Sequence, residues 1–351
     1  MAGRVVVLTP NWLGDAVMAL PAIGAVRRHH PADTLVVAAR SSSAALFRMV
    51  PGVDEVVSLG DGRGWRGAAA EVRALAATKA DVAILLPNSF RSAWIARRAG
   101  IRERWGFSAD LRGRLLTRRV ARPRGRMHQA SYYQALVAGL GIAPELASGP
   151  ITDPAVVVAP EEARARAAAL LSSRCVSEQA VLVGMAPGAA YGHAKQWPPD
   201  RYARLAVLLR DSLGVVSVLV GTRADRPAGV EIERAAARDS GALLNLIGQT
   251  DLPLLVGLMT RCRAFVSNDS GAMHLAAAAG LPVTAVFGSS DERGTAPLAC
   301  VSPSVPRHEI LSCRVWCRPC MLRECPIDHR CMTGIDPERV AEAVGRQLRR
   351  E

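Results

Sequence analysis

Residues 5–28 read VVVLTPNWLGDAVMALPAIGAVRR, and the succession of patterns in them decides the fold. An apolar run from Val5 to Thr9 leads through Pro10-Asn11-Trp12-Leu13-Gly14 into apolar positions at Val17, Leu20, Ile23 and Val26. The unbroken run suits a strand buried on both faces, and the later spacing suits a helix over Asp15–Arg28 lying against it. Further strands are expected at Leu35–Ala38, Val56–Leu59 and Val82–Leu86. Helices are expected through Leu46, over Ala68–Ala77 and over Ser92–Ala99. Such alternation builds a parallel, doubly wound sheet. It lapses between Ile101 and Arg126, before a helix carrying Tyr132, Leu136 and Leu140.

Residues Gly149 to Pro160 are Pro-rich and irregular, as a connection between domains would be, with a helix over Glu161–Leu171 at the hinge. The alternation then restarts with strand Ala180–Met185, helix Asp200–Asp211 and strand Val215–Val220. A further helix, strand Ala264–Ser267, helix Ala272–Ala279, strand Val283–Phe287 and a closing helix over Glu338–Leu348 complete it. The expected class is α/β: two Rossmann-like domains, 1–160 and 161–351, whose parallel sheets face an interdomain cleft.

Composition agrees. At roughly 150 residues per domain, 351 residues make two. Half the residues are hydrophobic and 21% are charged, which excludes a disordered chain. Aromatic residues are only 4%, so the cores are built from Ala, Val and Leu. The net charge of +13 comes from 44 Lys and Arg against 31 Asp and Glu. Almost all the basic residues are Arg, the only lysines being Lys79 and Lys195. So basic a chain calls for an anionic partner. No uninterrupted apolar run reaches 18 residues and the start is not a secretory signal, so a cytoplasmic protein is expected.

Three turns carry the candidate chemistry. The first, Asn11-Trp12-Leu13-Gly14-Asp15, lies at the carboxyl end of the first strand, where open parallel sheets bind ligands. Asp15 there is either a helix N-cap or a group facing the cleft. The second is Pro187-Gly188-Ala189-Ala190-Tyr191-Gly192-His193-Ala194-Lys195-Gln196-Trp197-Pro198. Its small residues admit an anion close to the backbone, and Lys195 supplies a mobile charge. The third, Ser267-Asn268-Asp269-Ser270-Gly271-Ala272-Met273-His274, opens an Ala-rich helix. Asp269 or Ser270 could cap that helix, or its free N–H groups could hold a phosphate. His274 sits one turn in.

In this order and spacing the three turns, with NDSGAMHLAAAAGLPVTAVFGS and the tail CRPCMLRECPIDHRCMTGIDPERV, resemble the ADP-heptose:lipopolysaccharide heptosyltransferases of glycosyltransferase family 9, the heptosyltransferase II branch above all. The resemblance covers nearly the whole chain. It implies a GT-B enzyme that inverts the anomeric centre and requires no metal or other cofactor for catalysis. The first domain would take a lipid A-linked inner-core acceptor, the second ADP-heptose. Asp15 matches the catalytic base and Lys195 the contact to the donor diphosphate. Asp269, Ser270, Gly271 and His274 match the donor-binding segment, and Gly188 and Ala189 the phosphate-side loop. Asn11, Trp12, Gly14 and Gly221 complete the candidate substrate contacts. The closing helix would pack back across the domains. A related transferase with another donor or acceptor is the alternative.

Nine arginines fall between Arg102 and Arg126. They suit a surface facing phosphorylated glycan and the anionic inner membrane, giving a peripheral location there, or simply a solvated face. A basic zinc-containing nucleic-acid-binding protein is the reading from another class, but no binding module is present, so no nucleic-acid partner is expected. Of eight cysteines, Cys175, Cys262 and Cys300 are scattered and expected as small core hydrophobes. The other five run Cys313-x3-Cys317-x2-Cys320-x4-Cys325-x5-Cys331, with His329 inside. Cys317, Cys320, Cys325 and Cys331 are the candidate ligands of a structural zinc or iron–sulfur site, with reduced or partly disulfide-paired thiols the alternative.

Overall fold

A computed structural model describes residues 3–60, 62, 64–147, 155–236, 243–299 and 308–349. The chain divides into two compact units, Met1–Val156 and Val157–Glu351. The expected connection at Gly149 to Pro160 lies partly outside the described residues, and Ala155 to Pro160 carry neither helix nor strand.

The first unit runs β1 (Arg4–Leu8), α1 (Leu13–Met18), α2 (Leu20–His29), β2 (Thr34–Arg40), α3 (Ser41–Phe47), β3 (Glu55–Leu59), α4 (Gly64–Ala77), β4 (Val82–Leu85), α5 (Phe90–Arg98), β5 (Glu103–Phe107), β6 (Arg118–Val120) and α6 (Gln129–Gly139). Its parallel sheet has the order β3-β2-β1-β4-β5-β6. β1 lies between β2 and β4, with Val5 opposite Leu35 on one side and Val82 on the other. Val6 and Val7 have no solvent exposure, as a two-sided strand demands.

The second unit runs α7 (Glu161–Ser173), β7 (Leu182–Ala186), α8 (Pro199–Leu213), β8 (Val216–Leu219), α9 (Arg226–Ala236), β9 (Leu243–Asn245), α10 (Leu252–Met259), β10 (Cys262–Asn268), α11 (Gly271–Ala278), β11 (Val283–Phe287), α12 (Glu292–Thr295), β12 (Glu309–Ser312), α13 (Arg330–Thr333) and α14 (Pro337–Leu348). Its sheet order, β12-β11-β10-β7-β8-β9, repeats the winding of the first. In each unit the chain winds outward from its first strand to its third, then returns to lay the fourth on the first strand's other side. The winding therefore reverses between β1 and β4, and between β7 and β10. Loops leaving those strands diverge and open a crevice at their carboxyl ends.

Three expectations change. The helix over Asp15–Arg28 is two helices, α1 and α2, meeting at Ala19. Pro21 has no N–H to donate back to α1, and its fixed φ suits the first turn of α2. The arginine-dense stretch is not irregular: it contributes β5 and β6 to the sheet. β9, α10 and β12 also escaped the sequence pattern. Within the second unit, Val340, Ala343 and Val344 of α14 join a core with Leu205, Leu209 and Val266.

Candidate functional site

In the first unit, Thr9 ends β1 by donating its N–H to Ala38 O at 3.0 Å. Trp12 is the extended N-cap of α1, without a side-chain cap bond, and Ala16 donates to its carbonyl at 2.8 Å. This settles the position of Asp15. It is not the N-cap; it lies in the first turn of α1, half-buried, where the helix dipole favours a carboxylate. Beside it, burial pushes the Tyr133 hydroxyl well above its ordinary pKa, and the Asp15 charge adds to the effect. Gly14 is half-buried, whereas Asn11 and Trp12 are exposed.

Next to Asn11 lies a cavity of about 50 Å³ that sequence reasoning missed. The buried Glu71 carboxylate accepts from Arg40 at 2.6 Å and from Arg91 at 2.9 Å through the same oxygen. Arg40 also reaches Asn11 Oδ1 at 3.3 Å. Two guanidinium groups on one carboxylate leave a positive charge on the wall. The residues lie 20 to 80 positions apart, so no local motif announces them.

The nine arginines do not act alike. Arg112 is fully buried, donating to Phe107 O at 3.0 Å and to Ser92 Oγ at 3.1 Å. Burial lowers its pKa to about 10. Gly106 makes room, since a Cβ there would lie 3.0 Å from the guanidinium. Arg104 is likewise taken up by carbonyls, those of Leu115, Ile101 and Arg102. The other seven are exposed.

In the second unit the two remaining turns meet. The loop after β7 carries Lys195 in a single tight turn, His193–Lys195. Its ammonium lies 2.6 Å from Asp269 Oδ2 at the end of β10, with the side chains only 12% and 5% exposed. The ammonium also stands 4.9 Å above the centre of the Tyr191 ring. Asn268, which sequence reasoning did not single out, fastens the loops together. It donates to Pro187 O at 2.7 Å and accepts from Trp197 N and Tyr202 Oη, both at 3.1 Å. Its position directly before Asp269 was the available signal.

Ser270 stands at the N-cap of α11, but its side chain makes no cap bond and lies 3.0 Å from Ser267 Oγ. The first turn of α11, beginning at Gly271, therefore presents N–H groups that the Ser270 side chain does not cap. His274 is buried in α11 and Ala189 in the β7 loop. Gly188 and Gly221 flank Asp225: a Cβ on Gly188 would lie 2.3 Å from its carboxylate, and one on Gly221 3.0 Å. Asp225 closes a capping box with Thr222, accepting from its N and Oγ1 at 2.7 Å each.

Cys175 is exposed rather than core, because it ends the turn after α7 in a left-handed conformation. Cys262 is buried as expected, and burial pushes its thiol up to about 12. Cys300 lies outside the described residues. Cys317, Cys320, Cys325 and Cys331 line one cavity together with His329. Burial raises the Cys331 thiol, and the Cys317, Cys325 and Cys320 sulfurs push in the same direction. Among the described residues no disulfide forms, and no three Cys, His, Asp or Glu side chains are already gathered as a metal cage.

The family described as glycosyltransferase family 9 (heptosyltransferase) matches residues 69–330. Lipopolysaccharide heptosyltransferase 2 of Escherichia coli is 33% identical over 84% of this chain and 86% of its own. Lipooligosaccharide heptosyltransferase 2 of Haemophilus influenzae is 30% identical over the same shares. The solved structure of E. coli ADP-heptose LPS heptosyltransferase II superposes with a TM-score of 0.79 at 28% identity, covering 98% of each chain.

Proposed function

This chain belongs to glycosyltransferase family 9, and from that premise we propose that it transfers heptose from ADP-heptose to the inner core of lipopolysaccharide. The observation that carries the donor assignment is the Lys195–Asp269 pair, set at the winding reversal of the second sheet beside the uncapped start of α11.

The chemistry follows from what these groups can do. An acceptor hydroxyl attacks the anomeric carbon, the bond from that carbon to the diphosphate oxygen breaks, and the configuration inverts. Asp15 takes the hydroxyl proton as general base. A sugar nucleotide already carries a good leaving group, so the remaining need is to neutralise charge on the departing diphosphate. Lys195 and the N–H groups of α11 meet that need, without a divalent ion or other cofactor. Gly188 and Gly221 keep the backbone close to Asp225 and shape the donor side, to which Ala189, Asp269, Ser270 and His274 also contribute. On the first unit, Asn11, Trp12 and Gly14 face the acceptor, and the Arg40–Glu71–Arg91 cavity receives one of its anionic groups.

No helix among the described residues is long and apolar enough to cross a membrane. The seven exposed arginines suit attachment to an anionic inner-membrane surface, where a lipid-linked acceptor resides.

Calorimetric titration with ADP-heptose, ADP-glucose and UDP-glucose, repeated on Lys195→Ala, tests the donor. ADP-heptose binds most tightly, and the substitution weakens it. Preference for another nucleotide sugar would keep the family and remove the heptose.

A further inference from the structure

We propose that the cysteine-rich segment running from the loop after β12 into α13 holds one divalent cation, zinc or ferrous iron, through Cys320, Cys325 and two of the three donors Cys317, Cys331 and His329, and that this ion braces the loop carrying Lys195.

Four sulfurs and an imidazole on the wall of a single cavity are the first support. The cavity measures about 50 Å³, where one water needs ~10–15 Å³. The donors stand around this hole without converging on one point. The second support is His329. Its Nε2 is buried and has no hydrogen-bond partner among the described residues. A nitrogen lone pair or N–H left unmatched among thiols is satisfied by a thiophilic cation or by the thiolates such a cation creates. Third, the His329 backbone N–H already points at Cys325 Sγ, 3.3 Å away. Sulfurs with two and four residues between them can close on a tetrahedral ion, and zinc and ferrous iron both accept mixed sulfur and nitrogen ligands.

The loop's contacts supply the role. Residues 321–324 span the gap between Cys320 and Cys325. Two carbonyls of this short span hold the β7 loop: Met321 O accepts from Tyr191 Oη and Arg323 O from Ala194 N, both at 2.9 Å. Met321 N is in turn anchored on Ser289 O at 2.9 Å. Gly192 packs against the same backbone so closely that a Cβ would lie 2.4 Å from Arg323 O. Tying Cys320 and Cys325 to one ion fixes both ends of the span whose carbonyls set Tyr191 and Ala194. Ala194 directly precedes Lys195, and Tyr191 is its ring contact. The bracing role rests on Lys195 as the diphosphate contact; the ion site does not.

The test uses the full chain, purified without a metal-affinity tag. Elemental analysis is expected to find one zinc or one iron per chain and so tells the two apart. An organomercurial thiol reagent should release it from the folded protein. Refilling with cobalt(II) should give thiolate-to-metal charge-transfer absorption. Cys325→Ser should lose the ion while Cys175→Ser keeps it, and circular dichroism confirms that each variant is folded. Absence of stoichiometric metal together with absence of the cobalt absorption overturns the site.

For the brace, ADP affinity is compared before and after release, with a fall of about tenfold expected from a displaced Lys195. Equal affinities would overturn the bracing role. Lys195→Ala separates the two proposals: it should keep the ion and lose ADP affinity. An unchanged ADP affinity in that variant would overturn the diphosphate assignment alone.

Discussion

Lys195 Nζ and Asp269 Oδ2 lie 2.6 Å apart although 74 residues separate them, and together they join the loop leaving β7 to the end of β10. Both side chains are nearly buried, so each charge depends on the other. Lys195→Ala removes the proposed diphosphate contact and strands the carboxylate. We expect a fall of ~100-fold in kcat and a loss of about 3 kcal/mol in stability. The double variant Lys195→Ala/Asp269→Asn should regain much of the stability and none of the rate. Denaturant titration and steady-state kinetics on all three proteins check this.

Asp15 belongs to the first unit, whereas every proposed donor contact belongs to the second. Asp15→Asn should therefore lower kcat by ~100- to 10,000-fold, the range of a general base, and leave the Kd for ADP-heptose within about twofold, well under the tenfold that 1.4 kcal/mol represents. Arg91→Ala should raise the acceptor KM with the donor Kd unchanged. A donor Kd that moved with either variant would contradict the division.

Gly188→Ala places a methyl group 2.3 Å from the Asp225 carboxylate. Asp225 must swing away, opening its capping box with Thr222 at a cost of ~1 kcal/mol. Thermal unfolding should show a lowered Tm. Adding Asp225→Ala should not lower it further, because the cap is already lost.

His308 is held neutral. Its Nδ1 accepts from Val283 N at 3.1 Å, leaving Nε2–H to donate to Leu298 O at 3.0 Å. Burial holds its pKa below the usual histidine value, against a smaller opposing pull from the Leu298 carbonyl. The unfolded chain then takes up a proton that the folded chain refuses. This contribution is complete above pH ~6.5 and is lost as pH falls toward the folded pKa. The urea midpoint should drop between pH 7 and pH 5.5. The drop should be smaller in His308→Gln, whose midpoint at pH 7 is lower.

The sequence by itself determined the two doubly wound units and the placement of three candidate turns at strand ends. Those features are local. Val5–Thr9 followed by Val17, Leu20, Ile23 and Val26 specifies strand then helix wherever the segment sits, and a parallel strand must end at the sheet's ligand edge. Short edge strands were hidden, because β6 and β9 have three residues each and show no period, and the arginines around β6 resemble a solvated loop. Tertiary structure alone decided which arginines point inward: Arg112 is buried because Gly106, 6 residues earlier in sequence, has no side chain to exclude it. It alone paired Lys195 with Asp269 and placed Asn268 between their loops. It also set Arg40 and Arg91 on one carboxylate of Glu71. Composition and period register what a segment buries, whereas these contacts depend on which segments the winding of the sheet brings together.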